Sequence, residues 1–284
     1  MNRLFRPALE VNVVDHCNLR CANCDHFSPV AAPNFLDATE LHNDLVALAK
    51  VLVIRELQLV GGEPLLHPGL LELVEVARSS GLARQITLIT NGVLLHRADP
   101  RLFELLDGLW ISRYPGVVQR YDETHLRSLA QEYGIWIWIK DTPTFGRKHL
   151  NRPNDDDALV QHIYFSCLDA HIYSCHTVHQ GRYYKCPPSV YMRQRLGRKG
   201  IKFENSSADS VPLHDNPNLR ADIARFIASD VPLQACRWCL GSLGPEEAHR
   251  QLDRDSLTAE LEEAHVDPRK LVRPEFILPL TPSK

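Results

Sequence analysis

The chain has 284 residues, 44% of them hydrophobic, and a formal net charge of −3. That is enough for a core in one large domain, or a large domain and a small one, and it supplies no positive field to recruit nucleic acid or an anionic membrane. The opening "MNRLFRPALEVNVV" lacks the apolar stretch and cleavage site of a signal peptide, and no run nears the ~18 apolar residues of a membrane span, so a cytoplasmic, membrane-free protein is expected.

In chain order, "ALEVNVV" reads as a strand ending just before "VDHCNLRCANCDHFSP", which places Cys17, Cys21 and Cys24 within eight residues. "DATELHNDLVALAKVLV" has helical periodicity, with Asp37 as its N-cap. "ELQLV" is a strand followed at once by Gly61, Gly62, Glu63 and Pro64. "PGLLELVEVARSSG" is a helix with Pro68 near its start and Gly81 past its end. "QITLIT" is a strand that runs into Thr90, Asn91 and Gly92. "DPRLFELLD" is a helix, "GLWISR" a strand, "DETHLRSLAQEYG" a helix and "IWIWIK" a strand. Trp136, Trp138 and Lys140 share one face of that last strand, which either lines a barrel or packs against helices. Strands alternating with helices predict a parallel sheet, whose chemistry sits at the carboxyl ends of its strands. The three cysteines, "GGEP" and "TNG" all fall at such ends.

After "KDTPTFGRKHLNRPNDDDA", read as a linker, the pattern changes. Residues 160–245 carry five cysteines and a hairpin turning at Gln180–Gly181, and "DSLTAELEEAH" predicts a short helix in the tail. The fold class expected is α/β, a partial (β/α)6 barrel with a small cysteine-rich C-terminal domain. The divisions fall at residues 1–150, 151–245 and 246–284.

The eight cysteines are split three and five with none between, which points to two metal sites in a reducing compartment. Three thiolates can hold three irons of a 4Fe–4S cube and leave the fourth open. The competing reading is a zinc site completed by His16 or His26. Its second cysteine pair should lie close by, and here it is over 140 residues away. Further on, Cys236-x2-Cys239 has metal-ligand spacing and needs two more ligands. Cys186 follows the hairpin glycine, and Cys167 or Cys175 precedes it. A zinc ribbon using His176 or His179 is the alternative there.

The three-cysteine spacing, with "GGEP" and "TNG" in order at strand ends, resembles the radical S-adenosylmethionine (SAM) enzymes over residues 8 to about 140. The resemblance implies that Cys17, Cys21 and Cys24 hold a 4Fe–4S cluster whose open iron is chelated by SAM. It implies a cofactor-facing loop of Gly61, Gly62, Glu63 and Pro64, with Glu63 toward the SAM ammonium, and further SAM contacts from Asn91, Ser112 and Arg113. Many members carry an aromatic residue just before the third cysteine. Here that position is Asn23, with Phe27 as the nearest substitute. Asp25 and His26 are either substrate contacts or hydrogen-bonding members of the loop.

The second group is similar to the short auxiliary-cluster extension called a twitch domain. That likeness favours Cys167 over Cys175 and implies a second 4Fe–4S cluster on Cys167, Cys186, Cys236 and Cys239. Cys175 is then free to act as a hydrogen-atom donor. The expected activity is hydrogen abstraction from a small hydroxylated substrate (a sugar, aminocyclitol or nucleoside), giving oxidation or epimerisation. The expected electron donor is a flavodoxin or ferredoxin. A peptide-modifying maturase is disfavoured because the first strand leads directly to the cluster loop. A non-catalytic iron–sulfur or zinc sensor is the alternative of another class.

Overall fold

The computed structural model describes residues 3–206, 208–253, 255–256 and 266–273. Strands β1 (Leu4–Val14), β2 (Leu52–Gly61), β3 (Ala83–Thr90), β4 (Gly108–Arg113) and β5 (Trp136–Asp141) pair side by side, all parallel. Helices α1 (Ala38–Ala49), α2 (Leu70–Ser79), α3 (Arg101–Leu105) and α4 (Glu123–Tyr133) form the crossovers. Asp37 caps α1 by accepting from the backbone N–H groups of Thr39 and Glu40. Leu9, Val11 and Val13 of β1 alternate onto the helix side and join one core with Leu41, Leu45, Leu73 and Val74.

The sheet does not grow past β5. It continues on the other side of β1 with β7 (Thr177–His179), a sixth parallel strand, and then antiparallel β8 (Arg182–Tyr184) and β9 (Ser210–Pro212). The second half of the chain therefore extends the sheet of the first half. The β7–β8 turn is at Gln180–Gly181 as expected, with both residues at positive φ (46° and 68°).

Two readings of the sequence change. The "KVLV" end of the first predicted helix belongs to the sheet, since β2 begins at Leu52. Its β-branched residues suit a strand, and an apolar run this short fits either period. The supposed linker is built into the fold. β6 (Thr144–Gly146) pairs antiparallel with β10 (Glu246–Ala248), Leu240 N–H donates to the Lys148 carbonyl and Leu150 N–H to that of Trp238. The first residues of the tail pair with the cluster loop: Ala22 N–H donates to the Arg250 carbonyl and Leu252 N–H to that of Arg20. Most of the predicted tail helix, residues 257–265, lies outside the described residues. None of the helices described is long and apolar enough to cross a membrane.

Candidate functional site

The carboxyl end of β1 leads into the three-cysteine loop, and the next two strand ends are tied to it. Gly62 N–H donates to the Val14 carbonyl and Glu63 N–H to that of His16. A Cβ on Gly61 would stand 2.2 Å from the Val14 oxygen, and one on Gly62 2.0 Å from the His16 oxygen. The glycines thus allow close approach to the chain's own backbone, rather than only to a ligand.

Glu63 is fully buried, and its carboxylate takes three donors. Thr90 Oγ1 is at 2.6 Å, Asn91 N at 2.8 Å and Leu65 N at 3.0 Å. Burial pushes its pKa up, and these donors counter part of that. The carboxylate expected to face a SAM ammonium instead joins the "GGEP" turn to "TNG". Pro64 begins a single 3₁₀ turn beside it. Asn91 does face the cluster loop: its Nδ2 donates to Asn18 Oδ1 at 2.7 Å and lies 3.6 Å from Cys17 Sγ.

Ser112 points to the concave face and hydrogen-bonds Tyr114. Arg113 points the other way. It makes a two-pronged pair with Asp141 (2.5 and 3.0 Å) and reaches Glu123 on α4 (3.2 Å), so it stands on the helix side, away from the cluster loop. A SAM contact from Arg113 does not fit that placement. Strand alternation explains it, because Leu109 and Ile111 of β4 face the same layer.

The three thiols of the loop lie close enough that Cys21 and Cys24 raise the pKa of Cys17, and Cys24 that of Cys21. Burial is the larger cause; it pushes Cys17 and Cys24 up and Cys21 to about 12. Each such thiolate needs positive charge or donors to form, and donors are in place: Leu19 N–H to Cys17 Sγ (3.3 Å) and Gln251 Nε2 to Cys21 Sγ (3.1 Å). Thiols of this character suit a cationic iron group. Phe27 packs at the base of the loop, its N–H donating to the Cys24 carbonyl. It is buried with φ 51°, packed on His149 at 4.2 Å between ring centroids.

A second set of thiols converges in the C-terminal part. Cys167, Cys186, Cys236 and Cys239 line one apolar pocket with Ile163, Tyr164 and Pro188. Cys167 opens the one-turn helix Leu168–His171, and Cys186 opens the helix Pro187–Gly197. Burial raises all four thiols, Cys239 to about 12. Gly241 N–H donates to Cys239 Sγ at 3.2 Å, and a Cβ on Gly241 would press on Cys167 Sγ at 3.3 Å. The donor set and the shaped cavity fit a multi-thiolate group. Cys175 stands apart from this pocket, and its thiol donates to the Glu10 carboxylate. His176 has both ring nitrogens engaged, with Tyr183 Oη (2.5 Å) and the Ala170 carbonyl (3.1 Å). Neither group of thiols brings three side chains into place for a single metal ion among the described residues.

Between the two sets lies an ion triad that the sequence did not signal. Lys148 Nζ pairs with Asp25 at 2.5 Å and Asp169 at 2.6 Å. Burial works against the ammonium, but the two carboxylates outweigh it and hold its pKa well above the ordinary value. Asp25 follows Cys24 and Asp169 follows Cys167 by two, so one lysine joins both thiol loops.

The concave face of the sheet is polar. Glu10, Gln58, Thr87 and Gly108 stand in register across β1 to β4, with Trp136 next on β5. The Asn12 amide and the Thr87 hydroxyl are buried without hydrogen-bond partners among the described residues. Trp110 and Trp138 pack at 4.3 Å with Lys140 over both rings. Trp138 is half exposed there, so this strand face lines the concavity. A charged and amide-bearing register such as Glu10 and Asn12, alternating with Leu9 and Val11, was the available sequence signal for it.

The model of the radical SAM superfamily matches residues 11–140. Among curated proteins, the GTP 3',8-cyclase of Chlorobaculum tepidum is 37% identical over 105 residues, 37% of this chain and 32% of that protein. GTP 3',8-cyclase 1 of Mycobacterium tuberculosis is 33% identical over 128 residues, 39% of this chain and 35% of that one. The matched stretch thus spans about a third of those relatives. Among solved structures, BtrN in complex with AdoMet and 2-DOIA has a TM-score of 0.47 at 17% identity, covering 84% of this chain and 94% of that one. Residues 11–140 of this chain, which carry the three-cysteine loop and the turns bonded to it, are a domain of the radical SAM superfamily.

Proposed function

We propose that the protein is a two-cluster radical SAM enzyme acting on a small hydroxylated molecule. When bound, a 4Fe–4S cluster with one open iron supplies the electron that splits SAM into methionine and a 5′-deoxyadenosyl radical. Cys17, Cys21 and Cys24 would hold it, with the Asn91 amide beside Cys17. Cys167, Cys186, Cys236 and Cys239 would hold the second cluster, and residues 151–245 would form the auxiliary unit. A flavodoxin or ferredoxin would deliver electrons.

The observation that carries the substrate class is the concave face. Asn12 and Thr87 are buried there with polar atoms that no partner among the described residues satisfies. Such groups cost free energy unless a ligand or water meets them, and hydroxyl or amine groups would meet them. Glu56 on the same face repels phosphate, and Glu10 beside it offers no positive charge to hold one. That argues against a nucleoside triphosphate of the kind named for the cyclase relatives, which this chain matches over the SAM domain alone.

The fate of the substrate turns on Cys175. Its S–H is held on Glu10, at the edge of that face. If the thiol gives its hydrogen atom to the substrate carbon, the product is an epimer. If it does not, the substrate radical left by hydrogen-atom abstraction gives up a proton, and an electron to the second cluster, and leaves as a ketone. The test is anaerobic reconstitution and a screen of sugars, aminocyclitols and nucleosides, scored by 5′-deoxyadenosine release and run in deuterated water with Cys175→Ala. Deuterium at one product carbon, lost in the variant at full iron content, identifies the epimerase. An oxidised product that is unaffected identifies the dehydrogenase. No turnover of any hydroxylated compound, with turnover of a peptide or a nucleoside triphosphate, would overturn the substrate class.

A further inference from the structure

The first thiol loop is not finished by the barrel. Residues 246–252 cross it from the far end of the described chain. β10 pairs with β6, and the residues after it pair with Arg20 to Ala22. Cys21 and Gln251 form a backbone bridge. Asn23, at φ 57°, donates through Nδ2 to Glu247 Oε2 at 3.0 Å. Asn23 occupies the position where the aromatic residue of related loops is missing here, and it anchors this strap.

Two strap side chains reach the Cys21 sulfur. His249 Nε2 is at 3.2 Å and Gln251 Nε2 at 3.1 Å. The Gln251 amide cannot be reversed without loss, because Arg20 N–H donates to its Oε1 at 2.8 Å. That bond turns the NH₂ toward the sulfur. Gln251 Nε2 also lies 3.0 Å from His249 Nε2. A neutral ring that accepts there leaves the other amide hydrogen for Cys21. The His249 ring is itself stacked on Tyr114 at 4.9 Å and 15°, with Phe145 at 5.5 Å. The strap therefore delivers a fixed N–H donor and an aromatic stack to the cysteine.

We propose that residues 246–252 are part of the first cluster site, and that Gln251 is a positioning residue whose amide hydrogen bond to Cys21 raises the reduction potential of the cluster bound there. A donor to a ligating sulfur draws negative charge off the iron–sulfur unit and stabilises its reduced form. The inference rests on the reading of Cys17, Cys21 and Cys24 as cluster ligands.

The experiment uses the full chain, reconstituted anaerobically and labelled with side-chain ¹⁵N-glutamine. Pulsed EPR of the reduced cluster whose signal changes on adding SAM should show a ¹⁵N coupling, and Gln251→Leu should abolish it. Gln251→Leu removes the donor without adding charge, and Gln251→Glu keeps the acceptor for Arg20 while replacing the donor. Both should bind iron as the wild type does and shift the midpoint potential of that cluster to more negative values. A wild-type cluster with no ¹⁵N coupling, or a Gln251→Leu cluster with an unmoved potential, overturns the proposal. If neither variant assembles a cluster, the labelled wild type decides alone. Failure of the wild type to bind any SAM-responsive cluster would instead overturn the ligand reading on which this one rests.

Discussion

Glu63 is the residue whose role changed most between sequence and structure. Its motif placed it at the cofactor, while its geometry makes it the buried junction of two strand-end turns. Glu63→Gln turns one oxygen into a donor that faces Thr90 Oγ1 or Asn91 N–H, and should cost about 1–3 kcal/mol. A lower denaturant midpoint and poorer iron retention are expected. Unchanged stability with SAM affinity alone lost would mean that the carboxylate leaves its donors for the SAM ammonium. Glu10 offers a pH test. Burial, the larger cause, pushes its pKa from 4.5 to about 7, and the Cys175 thiol pulls it back in part. A raised folded-state value means that the folded form binds the proton more tightly. Its stabilising share is whole below pH 4.5 and is lost as the pH climbs through 7, a difference of about 3 kcal/mol. Unfolding curves of wild type and Glu10→Gln should therefore diverge across that window, the wild type losing ground as pH rises. Parallel curves would contradict the burial of an ionisable group there.

At the scale of elements, the five strands and the four helices between them were legible because each is local. Alternation or a 3.6-residue period, a cap such as Asp37 and a glycine stop such as Gly134 lie within one short stretch. The strand-end motifs were legible for the same reason, since each is contiguous. What escaped was long-range pairing. Nothing around Lys148 marks it as the tie between two thiol loops, because Asp25 and Asp169 are 123 and 21 residues away. The polar run from Lys140 to Ala158 has a linker's composition, yet β6 and the Lys148–Leu150 stretch pair with the C-terminal part of the chain. Arg113 was placed at the right strand end but on the wrong face, which a one-residue step along a strand decides. Lys148→Met would leave two part-buried carboxylates without their cation and should cost about 1–3 kcal/mol, read as a drop in denaturant midpoint at constant slope. Adding Asp25→Asn and Asp169→Asn should recover most of that loss. No recovery would mean that the lysine matters through packing rather than through charge.

Taken whole, the molecule carries two separated sets of thiols, one at the mouth of a half-barrel and one in the part that extends the same sheet. The concave polar face lies next to the first set, and the Lys148 triad runs between them. Iron content and SAM cleavage, measured on one pair of proteins, test this arrangement most directly. The anaerobically reconstituted wild type should hold about eight irons and release 5′-deoxyadenosine when reduced with SAM. The variant with Cys17, Cys21 and Cys24 replaced by alanine should hold about four and release none. Stoichiometric zinc in place of that remaining iron, or 5′-deoxyadenosine formed without the three cysteines, would contradict it.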